Sequence, residues 1–280
     1  MATVPAMGAP LVDELERRPP DVVTPGGSRT WSLCGQNFVV EVTHLVAGDR
    51  IAEHDLPDEY ILLVPDGAAV KVQASAGAPV AVSEPSLVVV PGGSSTVQAE
   101  TDGVVTRVFA AHSEDPMRRS PNYGSRRDPA VAPLTTPGRP RGSIRVHRMA
   151  DVPDDPERLG RIFRTSSLMV NWFPTSIGPR DPEALTPHAH ADFEQMSVTL
   201  TGQFVHHIRR PWTARMSEWR DDQHAEVGSP SMTLIPPQLI HTTRWTGPGE
   251  HVLIDVFAPP RTDFLAKGWV LNAADYPDED

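Results

Sequence analysis

The chain has 280 residues, 39% of them hydrophobic, which is comfortable for two domains with real cores. Its formal net charge of −11 argues against a nucleic-acid partner and against attachment to an anionic membrane, both of which need a basic surface. No apolar run approaches the roughly 20 residues of a membrane span, and no basic segment followed by an apolar stretch marks a signal peptide, so the expected location is the cytoplasm.

Thirty prolines and twenty glycines predict many turns and short strands, not helices. Residues 1–30 read as a Pro/Gly-rich arm that packs on a neighbouring domain or subunit, or is partly disordered. It holds one short helical stretch, Leu11 to Arg18, stopped by Pro19 and Pro20. Residues 31–112 form a first domain. Its single cysteine, Cys34, excludes an internal disulfide, fits a reducing compartment and reads as packing, not as a nucleophile. Strands are predicted at Phe38 to Val46, Glu59 to Val64, Ala69 to Gln73, Leu87 to Val90 and Val104 to Ala111. Pro65-Asp66-Gly67 reads as a hairpin turn between the second and third of these. Residues 113–142 hold proline and arginine with few large apolar side chains and read as a solvated linker. Its arginine pairs 118/119 and 126/127 stand as weaker ligand contacts.

The second domain spans residues 143–280. A short helix is predicted at Pro156 to Phe163. Strands follow at Ser167 to Phe173, Glu194 to Leu200, Gln203 to Arg209, Ser231 to Ile235, Ile240 to Trp245 and Val252 to Phe257. The polar insert between Arg210 and Pro230, with Trp212 and Trp219, reads as a lid or a subunit contact.

The halves repeat each other. Glu59 and Gly67 bracket seven residues, as do Glu194 and Gly202, and Ser86–Pro91 parallels Ser231–Pro236. The closing strands agree as well, Arg107-Val-Phe-Ala against Asp255-Val-Phe-Ala. In the second half, His188, His190 and Glu194 lie at even offsets. One extended strand would therefore aim all three at one point, joined by His241 from a neighbouring strand. Imidazole nitrogens with one carboxylate suit a divalent transition metal and not an all-oxygen calcium site. The corresponding first-half positions are Glu53, Asp55, Glu59 and Thr96, which lack histidine and read as a solvated acidic rim without metal.

This constellation resembles the cupin superfamily. The His-x-His…Glu…Gly motif appears as His188, His190, Glu194 and Gly202. The Pro-x-Gly-x-x-His motif appears as Pro236 and His241, with Gln238 where glycine is usual and Trp245 where asparagine is usual. The resemblance implies an all-β chain of two double-stranded β-helix, jelly-roll-like barrels: a bicupin with one intact metal site. It also implies a homodimer and a small molecule entering one open end.

On that reading, His188, His190, Glu194 and His241 hold one divalent ion, Fe(II) first, with Mn, Ni or Zn as alternatives. Strand alternation places Met196, Val198, Phe204 and Trp245 on the substrate wall. It also turns His206 inward as a candidate proton donor, against the plainer reading of a structural histidine. Arg180 is a candidate carboxylate clamp, against a plain surface arginine. Three functions stay open: a non-haem iron dioxygenase, a redox-neutral isomerase, lyase or decarboxylase, and a non-catalytic binding protein.

Overall fold

The computed structural model describes residues 8–125, 127–134, 142–153, 155, 157–158 and 160–277. Each half folds into a large and a small antiparallel sheet. In the N-terminal half the large sheet runs Arg145–Arg148, Ser86–Val90, Tyr60–Val64, Gly103–Ala110, Phe38–Leu45, Arg29–Cys34, Val22–Val23. The small one runs Arg50–Leu56, Gly93–Ala99, Val70–Ala74, Val80–Val82. In the C-terminal half the large sheet runs Leu11–Glu14, Ser231–Ile235, Gln195–Thr201, Glu250–Phe257, Met169–Trp172, Arg161–Arg164. Its small sheet is Gln223–Val227, Gln203–Arg209, Ile240–Thr246. The central neighbours of the large sheets are distant in sequence, as Tyr60–Val64 beside Gly103–Ala110 and Gln195–Thr201 beside Glu250–Phe257, which is how a double-stranded β-helix closes into a barrel.

The two halves exchange strands. Leu11–Glu14 pairs with Ser231–Ile235 of the C-terminal barrel, and Arg145–Arg148 pairs with Ser86–Val90 of the N-terminal one. The arm therefore packs on its own chain. It does so as a strand followed by a 3-10 turn at Leu15–Arg17, not as the expected helix. Pairing across a sheet edge outweighs the helical preference of so short a segment. The helix expected at 156–163 gives way to the strand Arg161–Arg164, with residues 156 and 159 outside the described residues.

The largest apolar cluster lies between the large sheets. Val40, Val42, Ile61 and Val108 from one half meet Val170, Met196, Val198 and Val256 from the other. A second cluster fills the N-terminal barrel itself, with Val39, Tyr60, Leu62, Val88 and Phe109 among its members. The C-terminal barrel differs. Alternating residues of its strands bury Gln195, Ser197, Thr199, His206, Ser231, Thr233, Thr243 and Asp255, with only small apolar clusters among the described residues. One barrel is packed shut with hydrocarbon and the other is lined with polar groups.

The expected linker is partly structured. Glu114–Arg119 is an α-helix whose Met117 joins the N-terminal barrel's apolar filling; residues 126 and 135–141 lie outside the described residues.

Candidate metal centre

His188, His190 and His241 come together, with one ring nitrogen of each lying within 4.8 Å of the others. Their ring centroids are 4.5–5.1 Å apart. Backbone pairing sets this up: His188 N–H donates to His241 O at 3.0 Å and His241 N–H to His188 O at 2.8 Å. Gln238 N–H reaches His190 O at 2.6 Å. Gln238 itself sits at φ +68°, a left-handed conformation that explains why glycine suits this motif position.

The tautomers follow from the hydrogen bonds. Nδ1–H of His188 donates to Thr186 O at 2.9 Å, and Nδ1–H of His241 donates to Leu239 O at 3.0 Å. A carbonyl only accepts, so each neutral ring keeps its lone pair on Nε2, the arrangement that orients metal-binding histidines. Burial holds His190 and His241 neutral, with pKa values lowered to about 3 and about 4.

Glu194 is not the fourth member. Its carboxylate turns toward the N-terminal half and accepts from Gln36 N–H. The place expected for it is taken by Gln195, whose Oε1 lies 2.9 Å from His190 Nε2 and 3.2 Å from His241 Nε2. Even offsets share one face only along a continuous strand. In fact a bend at Ala191-Asp192 interrupts the chain and the strand starts at Gln195. One residue of slip flips every following side chain to the other face. Met196 and Val198 therefore leave the expected substrate wall and lie in the cluster between the sheets, while Gln195, Ser197 and Thr199 alternate with them.

The donor set fits a divalent transition ion. With Nδ1–H of His241 committed to Leu239, its Nε2 lone pair faces the lone pairs of Gln195 Oε1 across 3.2 Å. A cation between them resolves that opposition. Three imidazoles and an amide oxygen are donors that iron, manganese, nickel and zinc all accept.

Around this set, Gln195 Nε2–H donates to Ser197 Oγ at 3.0 Å, and Ser197 O–H donates to Asp255 Oδ1 at 2.6 Å. Burial raises the Asp255 pKa to about 7. His206 is fully buried, its Nδ1 2.9 Å from Thr243 Oγ1, with no hydrogen-bond partner at Nε2 among the described residues. Burial lowers its pKa to about 3. Phe204 is buried against Val227 and Leu253, with Trp245 packed on the same small cluster. Arg180 donates to Thr243 O at 2.8 Å and its guanidinium lies 5.1 Å from the Trp245 ring centroid, so it fastens a loop to the barrel edge. Cys34 is buried and its thiol is pushed up to about 11 by desolvation, which suits packing. Gln195, Ser197 and Asp255 were missed from sequence. The signal available was Gly202, which follows Gln195 after six residues and Glu194 after seven.

The N-terminal barrel fills the equivalent place with an ion network. Arg107 donates to Glu41 Oε2 at 2.5 Å and to Glu53 Oε1 at 2.6 Å. Arg119, from the expected linker, reaches Glu41 Oε1 at 2.7 Å and Glu53 Oε1 at 2.9 Å. Glu53, in the slot of His188, is 4% exposed and Glu59 is 1% exposed, so these two members of the expected solvated rim are buried and paired with arginine, while Asp55 is exposed as expected. Glu59 faces the other half and accepts from Arg145 at 2.8 Å and Tyr276 O–H at 2.7 Å, as Glu194 faces Gln36.

No family model and no curated protein matches the chain in sequence. Solved structures do match in fold. An oxalate decarboxylase from Lactobacillus farciminis, in complex with formate, is 12% identical over 100% of this chain and 96% of its own, with a TM-score of 0.59. The Ylba protein of E. coli is 14% identical over 91% and 93%, with a TM-score of 0.57. An oxalate decarboxylase variant from Bacillus subtilis is 14% identical over 100% and 88%, with a TM-score of 0.51. The strand order, the internal duplication and these likenesses together make the chain a two-barrel protein of the cupin fold.

Proposed function

We propose that the C-terminal barrel is the active site of a metal-dependent enzyme acting on a small organic anion. The observation that carries this reading is the convergence of His188, His190 and His241 with the amide oxygen of Gln195 in a polar barrel. All four donors are uncharged, so by charge counting a divalent ion keeps its full charge of about plus two, which favours an anionic oxygen ligand. When bound, such an ion supplies Lewis-acid polarisation of a carboxylate or carbonyl. The chain contributes the rest. His206 Nε2 and Thr233 Oγ1 are buried without hydrogen-bond partners among the described residues and are the groups placed to bind and orient a polar substrate. Phe204, with Trp245 packed against it, supplies the small apolar region of the barrel.

The neutral donor set favours a redox-neutral isomerase, lyase or decarboxylase over the iron dioxygenase, because an anionic ligand is what would ease oxidation of the metal. The dioxygenase is the second reading. It is favoured by the exposure of His188, which gives substrate and dioxygen access to one side of the set. The test is elemental analysis of the purified chain, followed by turnover of small carboxylates with and without oxygen. Activity under strict anaerobiosis supports the redox-neutral reading; oxygen uptake coupled to substrate loss supports the dioxygenase. A homodimer is part of the same proposal, with Gln223–Val227 at the edge of its sheet as the surface for a second copy. A light-scattering mass near one chain removes it.

A further inference from the structure

Resting on the metal-site reading above, we propose that Ser197 and Asp255 are positioning residues that lock the Gln195 amide with its oxygen toward the histidines. A glutamine end is asymmetric: one atom accepts and the other donates. Reversed, it would present N–H groups to the site and repel a cation. In this barrel the reversed state is opposed by a directed chain. Asp255 Oδ1 accepts the Ser197 hydroxyl proton at 2.6 Å, which leaves Ser197 Oγ to accept from Gln195 Nε2 at 3.0 Å. Oε1 is thereby the end that faces His190 Nε2 at 2.9 Å and His241 Nε2 at 3.2 Å. Gln195, Ser197 and Asp255 are 2%, 0% and 8% exposed, so water does not substitute for a missing link.

The register supports a built arrangement. Ser197 lies directly opposite Asp255 across the sheet, and Gln195 sits two residues from Ser197 on the same face. The repeat places Arg107 where the second half has Asp255. There the same position on the closing strand sends a guanidinium to Glu53, the residue in the slot of His188. The closing-strand residue thus decides what each barrel's site can hold: a cation of the protein's own in one, and an oriented amide oxygen in the other.

The test is a double-mutant cycle read by metal affinity, not activity. Mn2+ binding is followed by electron paramagnetic resonance and Ni2+ by competition with a chromogenic chelator. Ser197→Ala and Asp255→Asn are each expected to weaken binding about 10- to 100-fold, the usual effect of losing a group that orients a ligand. The discriminating arm is the Gln195→Glu background. A carboxylate has two equivalent oxygens and no wrong way round, so there Ser197→Ala is expected to change affinity by less than about 3-fold. Melting of the metal-free variants separates folding defects from binding defects. An unchanged affinity in Ser197→Ala overturns the proposal, as does an equal loss in both backgrounds. Failure of the native chain to bind either ion overturns the metal-site reading itself, a result visible before any variant is made.

Discussion

His241 gives the most direct readout at the scale of single residues. It is buried, it bridges His188 through the backbone, and its Nε2 faces Gln195. His241→Ala is expected to reduce bound metal at least about 10-fold on elemental analysis, since one of four donors is lost. The buried ring nitrogens also set a pH dependence. His190, His206 and His241 titrate at about 3, about 3 and about 4 in the folded chain, against 6.5 for a free imidazole. Between pH 6.5 and 4 the unfolded chain therefore binds more protons at these sites, and their contribution to stability falls as pH falls. Asp255 acts in the opposite sense. Its pKa, raised to about 7 from 3.8, makes the native state the better proton binder between those values, so its contribution falls as pH rises. Stability of the metal-free protein is expected to rise from pH 4 to 6.5, and more steeply in Asp255→Asn. Urea midpoints across that range measure it; a flat profile, or an unchanged slope in the variant, refutes it.

Individual elements carry different loads in the two barrels. The turn between Gln195–Thr201 and Gln203–Arg209 depends on Gly202 at φ +97°, where a Cβ would lie 2.4 Å from His251 Cδ2 and 2.7 Å from Glu250 O. Both the conformation and the space exclude a side chain, so Gly202→Ala is expected to cost about 2 kcal/mol or more in denaturant unfolding. In the N-terminal barrel, the closing strand Gly103–Ala110 delivers Arg107 to Glu41 and Glu53. Replacing Arg107 with methionine leaves those carboxylates short of counter-charge in a buried site. The expected loss is about 3 kcal/mol or more, with no change in metal stoichiometry. These two elements also mark how far sequence reasoning reached. The repeat and most central strands were legible from alternation and turn residues. The strands Arg50–Leu56 and Gly93–Ala99 were not, since their exposed faces are polar and their apolar residues are few. Pro65-Asp66-Gly67 does turn the chain, but not as the expected hairpin: Tyr60–Val64 and Val70–Ala74 on either side of it lie in different sheets.

The whole molecule is held by what the halves share. Its largest core lies between the two large sheets, and strands cross in both directions at Leu11–Glu14 and Arg145–Arg148. Removing residues 1–14 takes away the strand beside Ser231–Ile235, which leads through the turn bearing Gln238 into the strand bearing His241. An expected loss of about 2 kcal/mol lowers the Tm by roughly 4–8 °C, measurable by calorimetry. Among the described residues no helix is long and apolar enough to cross a membrane.

The order of residues alone determined a duplicated all-β chain and the grouping of His188, His190 and His241, because turn chemistry, strand alternation and motif spacing are local or periodic signals. Which residue completes that group was decided only in three dimensions. A bend at Ala191-Asp192 resets the alternation, so Gln195 and not Glu194 faces the histidines, and Met196 and Val198 meet the other half of the chain. The fate of the N-terminal site was likewise tertiary: Arg119 arrives from a segment that composition marks as linker, and no local pattern records the carboxylates it will meet.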